Sequence, residues 1–124
     1  MVELIVDDRQ EEEVTPDTFY VKPDGLSKMN LVSPGSFEKA TVRNCPVMYL
    51  TAFNLQNIYT SLKKGATATI YIHEPILVLQ EYDARYLEAN AELAGFRDIK
   101  TGTAVVYCED LGTKIETIAY TLTK

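Results

Sequence analysis

The feature that most constrains the fold is a strand–helix–strand pattern in the middle of the chain. Residues 38–43 have the composition of a strand. Apolar side chains then recur at the helical spacing i, i+3, i+4 and i+7, at Leu55, Ile58, Tyr59 and Leu62. Residues 66–72 are small or β-branched on both faces, which is typical of a strand covered by helices on both sides. We therefore predict a right-handed βαβ unit with parallel strands.

The end of the predicted helix has its own signal. Lys63 and Lys64 lie where a helix C-terminus favours positive charge, and Gly65 can adopt the left-handed conformation that ends a helix. We therefore expect the helix to end at Gly65.

The last third of the chain predicts a second helix followed by a hairpin. The helix covers residues 82–94 and stops at Gly95, and two strands follow at residues 99–108 and 114–122. The short connection between these strands favours antiparallel pairing. The fold class expected is α/β, a three-layer sandwich with a mostly parallel, Rossmann-like sheet that ends in an antiparallel hairpin.

The first third of the chain contains few regular patterns. Residues 2–6 predict one short strand, and the acidic residues 7–13 suggest a solvated turn. Prolines and glycines interrupt residues 15–36, so that only 19–21 and 30–32 are candidates for short extended pieces. We expect one domain over residues 1–124, with an irregular N-terminal portion at 1–36 that holds one short strand.

Composition excludes several classes of function. The 124 residues carry 18 acidic against 12 basic side chains, a net charge of −6 that repels phosphate backbones, so we expect no nucleic-acid partner. No apolar run is long enough to cross a membrane. Cys45 and Cys108 form no metal-ligand or disulfide pattern, so we expect reduced, buried thiols, no metal and a cytoplasmic location. A redox role for either cysteine stays open.

Two segments of the C-terminal part resemble class I S-adenosylmethionine-dependent methyltransferases. Residues 55–66 are similar to the family's helix, glycine turn and following strand, and residues 91–99 are similar to its segment before the last hairpin. The resemblance covers the C-terminal half of such a fold and implies a truncated methyltransferase-like sheet.

The family's glycine-rich cofactor loop is missing from this sequence. In that family the first strand leads into a turn whose backbone approaches the cofactor closely, which needs glycine. The six glycines here are isolated and form no G-x-G pattern. We therefore transfer no cofactor-binding residue and expect no cofactor.

The chain is similar in kind to the degenerate N-terminal domain of the anamorsin family, which also lacks a working cofactor loop. The pair Glu74 and Pro75 follows the strand as it does there, although the cysteine-rich part of anamorsins is absent. This resemblance implies a role in iron–sulfur protein assembly.

Asn44 is the first candidate site residue. It follows the strand 38–43 and precedes Cys45 and Pro46, where amino-directed methyltransferases carry an Asn/Asp-Pro-Pro-aromatic loop. Because only Asn44 and Pro46 correspond, a plain turn explains the segment more simply.

His73 and Glu74 are the second candidates. They follow a strand at the carboxyl edge of the sheet, where α/β folds place ligands, and a histidine beside a carboxylate can act as a general base. A strand-end turn is the simpler interpretation, since one His-Glu pair does not make a metal site.

Two further features each have a functional and a structural interpretation. Asp7 and Asp8 end the first strand, where a carboxylate can hold a ribose hydroxyl, but the acidic residues that follow favour a solvated turn. Tyr82 and Tyr86 share a helical face with Leu79, as either a contact surface or a packing edge.

These observations lead to three hypotheses, of which the weakest is a structural subunit of a larger complex. The first is a non-catalytic methyltransferase-like domain that acts as a protein-interaction or assembly module, with a protein partner and an undetermined oligomeric state. The second is a small methyltransferase, or another small-molecule enzyme, that uses the carboxyl edge of the sheet around Asn44 and His73.

Overall fold

The computed structural model describes residues 2–9, 13–72, 77–108 and 111–124. Seven strands and two α-helices lie within these ranges. In chain order they are β1 (Glu3–Asp7), β2 (Glu13–Val14), β3 (Thr18–Val21), β4 (Phe37–Arg43), α1 (Ala52–Ser61), β5 (Leu62–Tyr71), α2 (Leu77–Ala94), β6 (Asp98–Cys108) and β7 (Thr113–Thr123). Two 3-10 helices, at Pro23–Leu31 and Val47–Tyr49, precede and follow β4.

The described strands form one mixed sheet in the order β2-β3-β1-β4-β5-β7-β6. Strands β3, β1, β4 and β5 are parallel to one another, whereas β2 and the β6–β7 hairpin are antiparallel to their neighbours. The α/β class, with a Rossmann-like sheet that ends in an antiparallel hairpin, is therefore confirmed. The predicted βαβ unit is β4-α1-β5.

The helices of the described chain lie together on one face of the sheet. Helix α1 packs between the first 3-10 helix and α2, and α2 also packs on β7. The amide of Asn57 on α1 donates a hydrogen bond to the carbonyl of Leu26, at 2.9 Å. Beneath them, Leu55, Ile58 and Leu87 are fully buried, so the core lies between this helix layer and the sheet.

The opposite face of the sheet meets no helix of the described chain, which differs from the expected three layers. Ala40 pairs with Ala68 beneath the helices, and Thr41 pairs with Thr69 on the other side. Threonines dominate that side, at Thr18, Thr41, Thr67, Thr69, Thr121 and Thr123. The alternation of alanine and threonine along β5 gives one buried and one water-facing side, so two layers are seen within the described residues.

The N-terminal portion is more regular than expected. It holds β2, β3 and a 3-10 helix as well as β1; the extended piece at 19–21 is part of β3, whereas 30–32 is not a strand. Pro23, Leu26 and Met29 are the buried residues of the 3-10 helix and recur every third residue, which is the period of that helix.

The predicted helix end at Gly65 is wrong. Helix α1 stops at Ser61, and Leu62 is already in β5, fully buried and paired with Phe37. The register of β5 then shifts, and Gly65, with φ of 82°, lies in this irregularity, where its N–H donates to the carbonyl of Lys124 at 3.2 Å.

Helix α2 begins earlier than predicted, at Leu77, and Gly95 ends it with φ of 115°, as expected. In the described part of the chain, neither α-helix combines the length and the apolar composition that a membrane crossing requires.

Candidate functional site

The candidate site is the carboxyl edge of the sheet between β1 and β4. The chain passes from β1 to β3 on one side and continues through β4 on the other, so the connections diverge at this point. Open α/β sheets bind ligands in the crevice at such a divergence. The side chains at the ends of these two strands therefore decide what this edge can hold.

Asp7, at the end of β1, is the centre of a hydrogen-bond network that spans this crevice. The parallel register places Asp7 beside Arg43 at the end of β4. Arg43 Nε donates to Asp7 Oδ2 at 2.7 Å, and Asn44 Nδ2 donates to Asp7 Oδ1 at 3.1 Å. The backbone N–H of Arg9 also donates to Oδ1, at 2.9 Å. Both carboxylate oxygens are thus engaged within the protein.

These contacts determine the charge state of Asp7. Its residue is only 5% exposed, and burial by itself raises the carboxyl pKa. Hydrogen bonds from Arg43, the Arg9 backbone and Asn44 outweigh burial and hold the pKa of Asp7 below its ordinary value. Asp7 is therefore ionised at neutral pH and acts as a structural anion. The expectation of a solvated turn at Asp7 is wrong, because β4 covers the carboxylate.

Asn44 lies inside this network. Its φ of 48° is in the left-handed region, which asparagine tolerates better than most residues. Since the amide of Asn44 is bound to Asp7, its donor points at the protein's own carboxylate. The structure thus joins Asn44 to Asp7, a pairing that the sequence analysis missed.

Cys45, the next residue, is buried below this edge. Its Sγ donates to the carbonyl of Pro46 at 3.6 Å. Burial raises the pKa of the Cys45 thiol to about 12, and the negative charges of Asp8 and Asp7 act in the same direction. The thiol is therefore protonated at neutral pH and is a poor nucleophile.

A small pocket of about 30 Å³ at this edge is lined by Arg43, Asn44, Tyr71, Ile72 and Val106. Small-molecule sites usually have volumes of about 300–1,000 Å³, so this pocket has room for about one water molecule. This pocket is too small for a nucleoside-containing methyl donor.

A separate, open cleft of about 280 Å³ lies between β3 and the first 3-10 helix. Phe19, Val21 and Met29 provide apolar walls, and Asp24 and Lys28 lie at its border. It holds none of the predicted site residues.

The remaining candidate residues fall into three groups. His73 and Glu74 lie outside the described residues. Tyr82 and Tyr86 lie on α2 and are 75% and 43% exposed, as is Leu79 at 43%. Cys45 and Cys108 are both free and buried. Within the described ranges, no three metal-ligating side chains are grouped.

No protein-family model and no curated protein matches this sequence. Solved structures do share its fold. A possible histamine N-methyltransferase from Thermotoga maritima, described as S-adenosylmethionine-dependent, is 15% identical with a TM-score of 0.61, over 99% of this chain and 82% of that one. A methyltransferase of the same class from Archaeoglobus fulgidus is 12% identical with a TM-score of 0.61, over 99% and 86%.

The spermidine synthase of Thermotoga maritima is also similar, at 12% identity and a TM-score of 0.62, but this chain spans only 34% of its length. At such identities the likeness shows the fold alone. The chain thus has a class I methyltransferase-like fold. The similarity extends over nearly all of the chain, beyond the C-terminal segments on which the sequence resemblance rests.

Proposed function

We propose that this chain is a non-catalytic, methyltransferase-like domain that acts as a protein-interaction or assembly module. The observation that carries the proposal is the network of Asp7, Arg43 and Asn44, which links the ends of β1 and β4 at the point where the chain connections diverge. A carboxylate that already accepts three hydrogen bonds from its own protein has little acceptor capacity left for a ribose hydroxyl.

The positions of the glycines support the same conclusion. Four glycines have positive φ, at Gly35, Gly65, Gly95 and Gly112. None of these four lies in the segment directly after β1. The sequence after β1 continues Asp8-Arg9-Gln10-Glu11 and holds no glycine, the residue that lets a backbone approach a ligand closely.

The free cysteines support a reducing compartment, and we propose a cytoplasmic location. We further propose an assembly role of the anamorsin kind, in the maturation of iron–sulfur proteins. Its support is the resemblance of residues 55–66 and 74–75, together with the missing cofactor loop.

Calorimetric titration with S-adenosylmethionine tests the non-catalytic role. We expect no saturable heat at micromolar ligand, and the same for S-adenosylhomocysteine. The Asp7→Ala variant is titrated in parallel, because it lacks the carboxylate at the centre of the network. Micromolar binding by the unmodified chain would overturn the proposal.

Co-purification tests the interaction role. Tagged protein recovered from its native cell should retain a partner that is lost when Tyr82 and Tyr86 are both changed to serine. Tyr107→Ser is the matched control, since Tyr107 is also exposed, at 57%, but lies on β6. If the partner is lost in the control but retained in the double variant, Tyr82 and Tyr86 do not form the binding surface.

A small methyltransferase remains the second candidate, because solved structures with this fold are described as S-adenosylmethionine-dependent methyltransferases. The carboxyl edge with Asn44 and His73 would be its site. Transfer of a labelled methyl group to a small amine, abolished in both Asn44→Ala and His73→Ala, would establish it; no transfer above background would remove it.

A further inference from the structure

The exposed face of α2 carries a regular apolar seam. Leu79, Tyr82, Tyr86, Ala89 and Leu93 are exposed and recur at alternating steps of three and four residues. This is the spacing of the a and d positions of a coiled coil, and it places the side chains in one line along a helix. Leu79 and Tyr86 are each 43% exposed, and Tyr82 and Leu93 are 75% and 76% exposed. The seam lies away from the core, which α2 contacts through Ala84, Leu87 and Ala91.

Two opposite charges border the seam on one side. Arg85 and Glu92 are seven residues apart, both exposed, and occupy the same position relative to the a and d residues in successive heptads. When two identical helices pair in antiparallel orientation, this position faces its counterpart on the other helix. Arg85 then lies beside the partner's Glu92, and Glu92 beside the partner's Arg85.

We propose that α2 binds the α2 helix of a second copy of this chain, antiparallel and about a two-fold axis. This deepens the interaction role proposed above by naming its partner, and it rests on that role for its choice of surface. The parallel arrangement is disfavoured because it places Arg85 beside Asn90, which already donates to the carbonyl of Leu50 at 3.0 Å.

The same register gives complementary shapes. Tyr86 lies opposite the partner's Ala89, and Tyr82 lies opposite the partner's Leu93. A shallow depression of about 290 Å³ surrounds Ala89 and is bordered by Arg85, Glu88 and Glu92. The ring of the partner's Tyr86 fits such a depression, in the way that a knob enters a hole between helices.

The two-fold symmetry of this contact limits the size of the assembly. An isologous interface uses the same patch on both copies, so the assembly closes at a dimer. The seam is short, so we expect a dimer whose population depends on protein concentration.

Sedimentation velocity over a range of concentrations tests the proposal with the unmodified chain. We expect a reversible monomer–dimer equilibrium. Arg85→Glu places two carboxylates together twice per dimer, and Glu92→Arg places two guanidinium groups together twice; each should weaken dimerisation by about tenfold or more. Glu81→Arg is the matched control, since Glu81 is exposed on the same helix but outside the seam.

Mixing the two charge variants gives the sharpest result. An equimolar mixture of R85E and E92R should form a heterodimer in which opposite charges again face each other, and the R85E/E92R double variant should dimerise as the unmodified chain does. A chain that is monomeric at every concentration, or a dimer that ignores both reversals, would overturn the proposal. Binding of S-adenosylmethionine by a dimeric chain would instead overturn only the non-catalytic role.

Discussion

Gly95 lies against the aromatic ring of Tyr59, so that a Cβ atom added at Gly95 would be 3.3 Å from the ring. Tyr59 is held on two sides: Phe96 packs edge-on with ring centroids 5.1 Å apart, and Lys124 Nζ lies 4.8 Å from the centroid. The end of α2 and the C-terminus are therefore anchored on one side chain of α1.

Gly95→Ala should destabilise the fold by about 1–3 kcal/mol, because it combines a φ of 115° with a crowded ring. Urea denaturation measures the free energy of unfolding. Gly102→Ala is the control, since a Cβ there meets nothing within 4 Å. Equal losses in the two variants would contradict the role assigned to the ring.

Asp7→Asn should lower the free energy of unfolding at pH 7 by about 1–3 kcal/mol, because the engaged carboxylate is lost. The folded-state pKa of Asp7 is lowered, so its contribution is present above the unfolded value of about 3.9 and disappears as pH falls through the folded pKa. The difference between the two proteins should therefore shrink below about pH 4.

Urea denaturation at pH 7 and pH 3 checks this dependence on pH. Asp24→Asn, which changes an exposed carboxylate on the first 3-10 helix, is the control and should leave stability nearly unchanged. A difference between the Asp7 variant and the unmodified chain that is constant from pH 7 to pH 3 would refute the assignment.

The raised pKa of Tyr120 predicts that the protein loses stability at alkaline pH. Burial and the charge of Glu88, which accepts a hydrogen bond from the Tyr120 hydroxyl at 3.2 Å, together raise the pKa of Tyr120 to about 12. Because the folded pKa is raised, the contribution is complete below the unfolded value of about 10 and is lost as pH rises toward 12.

The unfolding free energy of the unmodified chain should therefore fall between about pH 10 and pH 12. Tyr120→Phe should flatten that fall, and Tyr107→Phe, a change on the exposed part of β6, should leave it as it is. Identical pH profiles for all three proteins would show that Tyr120 is not responsible.

Thr51 caps the N-terminus of α1: its side chain accepts a hydrogen bond from the backbone N–H of Asn54 at 3.1 Å. Thr51→Ala should cost about 1 kcal/mol of stability, whereas Thr51→Ser keeps the acceptor and should cost little. Thermal denaturation followed by circular dichroism compares the two. A serine variant as unstable as the alanine variant would argue against capping.

The elements predicted well are those with a local signal. The apolar spacing of Leu55 and Ile58 locates α1, and the alternation in residues 114–122 locates β7, because each pattern reports burial on a single element. The 3-10 helix was missed although Pro23, Leu26 and Met29 carry a period of three, a signal that could have revealed it.

The site depended on information that is not local. Asp7 and Arg43 are 36 residues apart and meet only through the parallel register of β1 and β4. The local sequence around Asp7 or Arg43 contains no pattern that predicts their contact. The one-sided helix layer was missed for a different reason: Thr67 and Thr69 are β-branched, and composition does not distinguish a water-facing threonine from a buried one.

The uneven covering of the sheet affects how this chain tolerates mutation. Ala40 and Ala68 are buried beneath the helices, so a larger side chain there forces neighbouring side chains to move. Thr69 and Thr121, on the other side of the same sheet, meet no helix of the described chain and can be exchanged for many residues. Sequence drift will therefore accumulate on one surface, and that surface is where new binding specificities can evolve at the least cost to folding.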